Sequence, residues 1–284
     1  MGFNVEALGV ATNETVLRVE RDRIVSFALA TNDPDPQALA GDAASPLFCV
    51  IPMYRPLGAA IKAVTPADRM MYTLHGEQDM RFFSAIRPGM ELHATATPVG
   101  FAAKSSGTTI SILGVVADEH GSKLCEQWMS MFIRGAGDTV TAGAHMPPRE
   151  PLEPEKLGPP VALESQVVDA DQTFRFAEAS GDPMRVHLDA AVARKFGLPG
   201  IICHGLCTLA MAGNAAITAL GGGSPRRMKR LAVRFAKPLL PGQEIVSSFW
   251  SDAPREGNTT YRFQTEAADR TVVLSNGLVE LAPV

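Results

Sequence analysis

The chain has 284 residues, 46% of them hydrophobic and 20% charged, which excludes a largely disordered chain, a fibre and a disulfide miniprotein. Lys and Arg total 26 against 30 Asp and Glu, a formal net charge of −4, so neither nucleic acid nor a membrane surface is an expected partner and any anionic ligand needs a local basic patch. Four cysteines (Cys49, Cys125, Cys203, Cys207) in so long a chain make no disulfide framework and fit a reducing compartment.

From the N-terminus, MGFNVEALGV has neither the basic start nor the apolar run of a secretory leader, so a cytoplasmic protein is expected. A helix should begin near Asp22, carry a Phe/Ala face and end at the Asn32-Asp33 turn, and a second, Ala-rich helix should cover residues 56–64. Strands follow at 80–83, 92–99, 107–117 and 124–134, where β-branched or alternating runs are broken by Pro-Gly and Glu-His-Gly turns. Residues 135–160 hold six of the 21 prolines and read as a linker. The order then repeats: a helix from near Asp171 to the Gly181-Asp182 turn, an Ala-rich helix over 205–220, and strands at 231–236, 245–250, 259–265 and 272–281. The stretch 205–220 contains Asn214 and is too rich in Ala and Gly for a membrane span, so it reads as a buried helix. Helices first and antiparallel strands afterwards make an α+β order in each half.

The repetition is visible residue by residue. FALATNDP (27–34) aligns with FAEASGDP (176–183) at an offset of 149, and MRFFSAIRPGMEL (80–92) aligns with VRFAKPLLPGQEI (233–245) at an offset of 153. We therefore divide the chain into an N-terminal domain (1–134), the linker (135–160) and a C-terminal domain (161–284).

The residues able to carry chemistry lie in the second copy. SGDPMRVHLD (180–189) sets Asp182 and His187 five residues apart across a Pro-containing turn, and His204-Gly205 opens the Ala-rich helix. An Asp–His pair can hold a water between them, one group taking its proton while the other donates. Amides in the first turn of a helix lack internal partners and can receive an oxyanion. Such a site suits addition of water to an activated double bond. The same residues also fit an Asp cap and a surface His on an ordinary loop. The first copy separates the two readings: Asp182 has a counterpart in Asp33, but His187 faces Ala38, and no His-Gly precedes the first Ala-rich helix. The shared scaffold does not require those histidines.

On these motifs the second half resembles the MaoC-like dehydratases and (R)-specific 2-enoyl-CoA hydratases, whose signature runs Ser/Thr-Gly-Asp-x-Asn-Pro-Leu/Ile-His-x-Asp and later Gly-Phe-x-x-Pro-Ile-x-His-Gly. Here Ser180, Gly181, Asp182, His187 and Asp189 match, followed by Gly197, His204 and Gly205. The first half resembles the family's degenerate N-terminal repeat through LHGEQDMRF (74–82) and FIRGAG (132–137). The resemblance implies two hot-dog units, each a long helix wrapped by an antiparallel sheet, with the N-terminal copy degenerate. It implies Asp182 and His187 as the catalytic pair, the Gly205 amide as donor to a thioester carbonyl, and reversible hydration of trans-2-enoyl-CoA to (3R)-3-hydroxyacyl-CoA. It also implies an acyl-CoA substrate, a homodimer, and no metal or organic cofactor. One departure stands out: Met184-Arg185 replaces the family's Asn-Pro. A hot-dog acyl-CoA thioesterase and a non-catalytic acyl-CoA-binding or partner subunit are the alternatives.

Remaining features divide between a ligand role and a plain one. Arg226, Arg227, Lys229 and Arg230 form the only dense basic run, shortly before Arg234, and suit the CoA phosphates or simply a solvated loop; His204 is grouped with the substrate-binding residues. Cys203, His204 and Cys207 lack a second ligand pair at zinc-like spacing, so the thiols are expected in the core. GAGDTV (135–140) and Gly221–Gly223 lack the context of a nucleotide-binding loop, and the triple Gly reads as a helix C-cap.

Overall fold

The computed structural model describes residues 2–135 and 140–283, which fold as two compact units. The first unit comprises Met1–Arg18, Pro52–Ser84 and Met90–Arg149; the second comprises Val19–Ile51, Ala85–Gly89 and Glu150–Val284. Residues 19–51 of the N-terminal half thus belong to the second unit. Residues 136–139 of GAGDTV, and with them the last two residues of FIRGAG, lie outside the described residues. No helix among the described residues is long and apolar enough to cross a membrane.

In chain order the helices are α1 (Arg21–Ala30), α2 (Pro36–Leu39), α3 (Tyr54–Val64), α4 (Gln172–Ser180), α5 (Ala190–Lys195) and α6 (Gly205–Ala219). The strands are β1 (Thr15–Arg18), β2 (Thr73–Phe82), β3 (Glu91–Lys104), β4 (Gly107–Ala117), β5 (Lys123–Arg134), β6 (Ala142–Gly143), β7 (Ala162–Val167), β8 (Met228–Phe235), β9 (Glu244–Arg255), β10 (Asn258–Ala267) and β11 (Val272–Leu281).

In the first unit the antiparallel order is β1-β3-β4-β5-β2, with β6 added to β3 and α3 packed on β3 and β4. In the second unit the order is β8-β11-β10-β9-β7, with α6 against β7, β8, β9 and β11. The two orders correspond element for element, so the repeat read in the sequence is also a repeat of topology. Each is a helix laid on an antiparallel sheet, the α+β hot-dog arrangement.

Helix α6 can lie close to its sheet because it is built of small residues. A Cβ on Gly213 would meet Leu231 at 3.1 Å, and one on Gly205 would meet the Phe235 ring at 3.0 Å. Eleven of its residues, Cys207–Ile217, are buried, including both expected core thiols' neighbour Thr208 and the polar Asn214, whose amide donates to Thr31 O at 3.1 Å. The helix stops at Gly221–Gly223, where Gly222 and Gly223 adopt positive φ of 61° and 75° that other residues rarely take. The C-cap position itself is Leu220, and the triple Gly forms the loop that follows it.

Helix α1 packs beside α4. Phe27 and Phe176 are fully buried with ring centroids 5.8 Å apart, and Phe48 closes on Phe27 at 5.7 Å. Each such ring contributes about 2–3 kcal/mol by leaving water. Both helices begin near the expected aspartates, but neither side chain caps its helix. Asp22 lies inside the first turn of α1, not at its cap, and Asp171, although at the cap position of α4, accepts from Arg175 Nε at 3.1 Å rather than from a helix amide. The Asp171 backbone, at φ −98° and ψ 1°, lies outside the extended region in which an N-cap side chain reaches the helix amides.

The predicted strands are all present, several of them longer than expected. Strand β3 runs through Pro98 because a register shift between Pro98 and Gly100 absorbs the missing amide. Strands β1 and β7, which the sequence reading omits, are short sheet-edge strands with one face exposed, so their apolar alternation is weak.

Candidate active site

The candidate residues lie between α4 and the first turn of α6. Gly181 caps α4 in the left-handed region at φ 80°, a conformation that favours glycine, and it turns the chain so that Asp182 is buried immediately after the helix. Asp182 Oδ1 accepts the Met184 amide at 3.0 Å, closing a local turn. The Met184 side chain, at the position where the family signature has Asn, is 54% exposed. Its contribution to the turn comes from the backbone. A 3-10 turn, Arg185–His187, then delivers His187, and Asp189 caps α5 by accepting from Ala191 and Val192 amides at 2.9 and 3.2 Å. Asp189 is therefore a helix cap.

His187 Nδ1 lies 2.9 Å from Ile202 O. A carbonyl can only accept, so Nδ1 carries the proton and, in the neutral ring, Nε2 keeps a lone pair. His204, the residue before α6, stacks on His187 with centroids 3.8 Å apart and planes at 26°, and the Phe176 ring lies 5.0 Å from it at a tilt of 47°. Its Nε2 is 3.9 Å from Asp182 Oδ2 and its Nδ1 is 3.1 Å from Thr173 Oγ1. Asp182, His187 and His204 each offer a ligand atom within 4.8 Å of the others. They could hold a metal ion, but stacked rings send their in-plane lone pairs side by side, whereas a tetrahedral ion needs them to converge.

Burial dominates the electrostatics. It raises the Asp182 pKa above the ordinary carboxylate value, against the Met184 amide and the His187 charge, and it lowers that of His187, against the Ile202 carbonyl and Asp182. His204 is pushed down to about 2 by burial and the neighbouring His187. Burial shifts all three groups toward their neutral forms. The start of α6 is at the same place: Gly205 follows His204 directly, and its first-turn amides have no partners within the helix. A Cβ at Gly205 would lie 3.0 Å from the Phe235 ring, so a larger residue there would have to push that ring aside.

The basic run does not form one patch. Arg226 is exposed; Arg227 is half-buried and donates from Nε to Ala282 O at 2.8 Å. Arg230 is buried, its Nη1 3.1 Å from Glu280 Oε1, so it is held in an internal ion pair rather than presented to phosphate. Arg234 is exposed beside Phe235, at the other end of β8. Arg226 and Arg227 precede β8, and about 23 Å of extended strand separates Met228 from Phe235. Cys203 and Cys207 are buried, as expected, and burial pushes the Cys207 thiol up. The sequence reading missed Thr173 and the Ile202 carbonyl; a backbone acceptor leaves no trace in a sequence.

A helix on an antiparallel sheet in each unit, with a buried Asp–His pair at the helix start of the second, defines a double hot-dog protein. A MaoC like domain model matches residues 153–273, and an MFE-2 hydratase 2 N-terminal domain model matches residues 42–135. The chain is 30% identical over 230 residues to "3-hydroxyacyl-thioester dehydratase Y" of Mycobacterium tuberculosis, covering 78% of this chain and 77% of that protein. It is 29% identical over 217 residues to "Probable enoyl-CoA hydratase 2" of Dictyostelium discoideum, covering 75% of this chain and 71% of that one. A MaoC-like dehydratase structure from Phytophthora capsici superposes with a TM-score of 0.86 at 22% identity, covering 99% of each chain, which extends the shared fold to the whole length. The chain belongs to the MaoC-like dehydratase and hydratase 2 family.

Proposed function

We propose that the second unit catalyses reversible addition of water to a trans-2-enoyl-CoA, giving (3R)-3-hydroxyacyl-CoA, with Asp182 and His187 as the acid–base pair. Hydration as the reaction class follows from family membership and from relatives named as enoyl-CoA hydratase 2. The observation that carries the residue assignment is the buried Asp182–His187 pair at the start of α6, with His187 Nδ1 tied to the Ile202 carbonyl so that Nε2 is left to accept.

In the proposed competent form the pair holds one titratable proton, carried by Asp182, and burial shifts both groups in that direction, raising the Asp182 pKa and lowering that of His187. A water lies between them. As its oxygen bonds to C3, His187 Nε2 takes one of its protons, and Asp182 gives a proton to C2. The electrons of the double bond pass transiently onto the thioester oxygen, which the Gly205 amide and the positive end of α6 stabilise. Transfer of the proton from His187 to Asp182 restores the pair. Dehydration is the same path reversed.

For the CoA phosphates we propose Arg226 and Arg227. Their distance from the start of α6 suits a substrate whose pantetheine arm separates thioester from phosphates, and their positive charge supplies the local patch that a net charge of −4 makes necessary. We further propose a homodimer as the working assembly.

Incubation with a 2-enoyl-CoA, following the absorbance of the conjugated thioester together with free thiol, tests the reading. Hydration removes the absorbance without releasing CoA, and chiral analysis of the product gives the 3R hydroxyl. Release of free CoA would make the protein a thioesterase, and no change in either signal would make it a binding subunit.

A further inference from the structure

We infer that Thr173 is a positioning residue, whose hydroxyl joins the two chain segments bearing the reacting groups to helix α4. The inference rests on the assignment of Asp182 and His187 above. Thr173 is completely buried in the first turn of α4. Its Oγ1 lies 2.9 Å from His187 O, 3.1 Å from His204 Nδ1 and 3.4 Å from Ile202 O. One atom therefore reaches the 3-10 turn that carries His187, the carbonyl that orients the His187 ring, and the His204 ring stacked upon it.

The donors and acceptors balance. The hydroxyl proton goes to His187 O, the nearest of the two carbonyls, and the oxygen lone pairs remain for His204 Nδ1–H. Ile202 O then receives its main bond from His187 Nδ1–H. His187 is thus held twice, through its own carbonyl by Thr173 and through its ring by Ile202. Neither bond touches substrate. Their effect is to keep Nε2 aimed, and a displacement of about 1 Å in a reacting group can cost about 100-fold in rate.

The internal repeat provides independent support. At the offset of 149 that aligns Phe27 with Phe176, Thr173 faces Ile24, and His187 faces Ala38. Ile24 is also buried, at 1% exposure, so an aliphatic side chain suits this place in the scaffold. Helix packing alone does not call for a hydroxyl. The hydroxyl is present in the copy that has the histidine and absent from the copy that does not.

The test is Thr173→Val, which preserves shape and removes the hydroxyl, alongside Thr173→Ser, which restores it, with His187→Ala as reference. Each is assayed for enoyl-CoA hydration and its unfolding midpoint measured. The expected result is a kcat about 10- to 100-fold lower in Thr173→Val with KM little changed, and recovery to within a few-fold of wild type in Thr173→Ser. A folded Thr173→Val variant with wild-type kcat, while His187→Ala is inactive, would overturn the positioning role and leave the catalytic pair standing. Thr173→Ser as impaired as Thr173→Val would also overturn it, since packing and not the hydroxyl would then matter. An active His187→Ala variant would instead sink the catalytic assignment itself.

Discussion

Replacing Asp33 by Asn should stabilise the protein at neutral pH without affecting turnover. Asp33 is the first-copy counterpart of Asp182 and is 6% exposed. Burial, with a smaller contribution from the Asp35 charge, raises its pKa from 3.8 to about 6, outweighing the Asp35 amide and the Ser45 hydroxyl. A raised carboxyl pKa means that the folded state binds the proton more tightly than the unfolded chain. The associated penalty is absent below the unfolded value of 3.8, grows as pH rises, and levels off above about 6. A shift of roughly two units corresponds to about 3 kcal/mol, with a range of about 1–4 kcal/mol. Asn retains an acceptor for the Asp35 amide, now 2.9 Å from Oδ1, and removes the buried charge. Denaturant unfolding of both proteins at pH near 7.5 and near 3.5 should show the variant ahead at the higher pH and the difference gone at the lower. Equal destabilisation at both pH values would refute the reasoning, because the carboxyl's hydrogen bonds rather than its charge would then dominate. Loss of turnover in Asp33→Asn, with His187→Ala near wild type, would mean that the active half is misassigned.

Asp182→Asn and His187→Ala should each lower kcat for hydration and dehydration alike by roughly 10²–10⁴, the usual scale for losing a general acid or base, in proteins shown folded by circular dichroism. The acid limb of kcat/KM should fall below the ordinary histidine pKa of 6.5, because buried His187 resists protonation, and the alkaline limb should lie above 3.8, because buried Asp182 resists ionisation. Bound substrate excludes water and favours the neutral pair further, so both limbs should move outward in the kcat profile; a kcat window narrower than that of kcat/KM would contradict this. Arg226→Glu should raise KM with kcat unchanged. Arg230→Glu should instead cost about 3–5 kcal/mol of stability, because it leaves Glu280 buried without its cation, and an unaltered unfolding midpoint would disprove that distinction.

Much of this molecule was legible before any coordinates. The repeated order of helices and strands followed from alternating and Ala-rich runs, and the two offsets of 149 and 153 made the duplication visible. Asp182, His187 and His204-Gly205 stood out as candidates because ionisable side chains at short spacing are visible in a sequence, and the contrast of His187 with Ala38 indicated which copy to examine. Tertiary structure decided what depends on neighbours remote in sequence. Arg230 reads as one more cation of a basic run until β11 places Glu280 against it. That the His204 ring stacks on His187 follows from the fold and not from their spacing of 17 residues. Asp171 looks like a helix cap until its side chain is found bonded to Arg175. Thr173 looks like any helical threonine until Ile202 and His204 arrive beside it from about 30 residues away. Local pattern specifies which elements form and which residues have reactive groups. Partnership, burial and therefore protonation depend on what the folded chain brings against them, and those energies are absent from any window of sequence short enough to read.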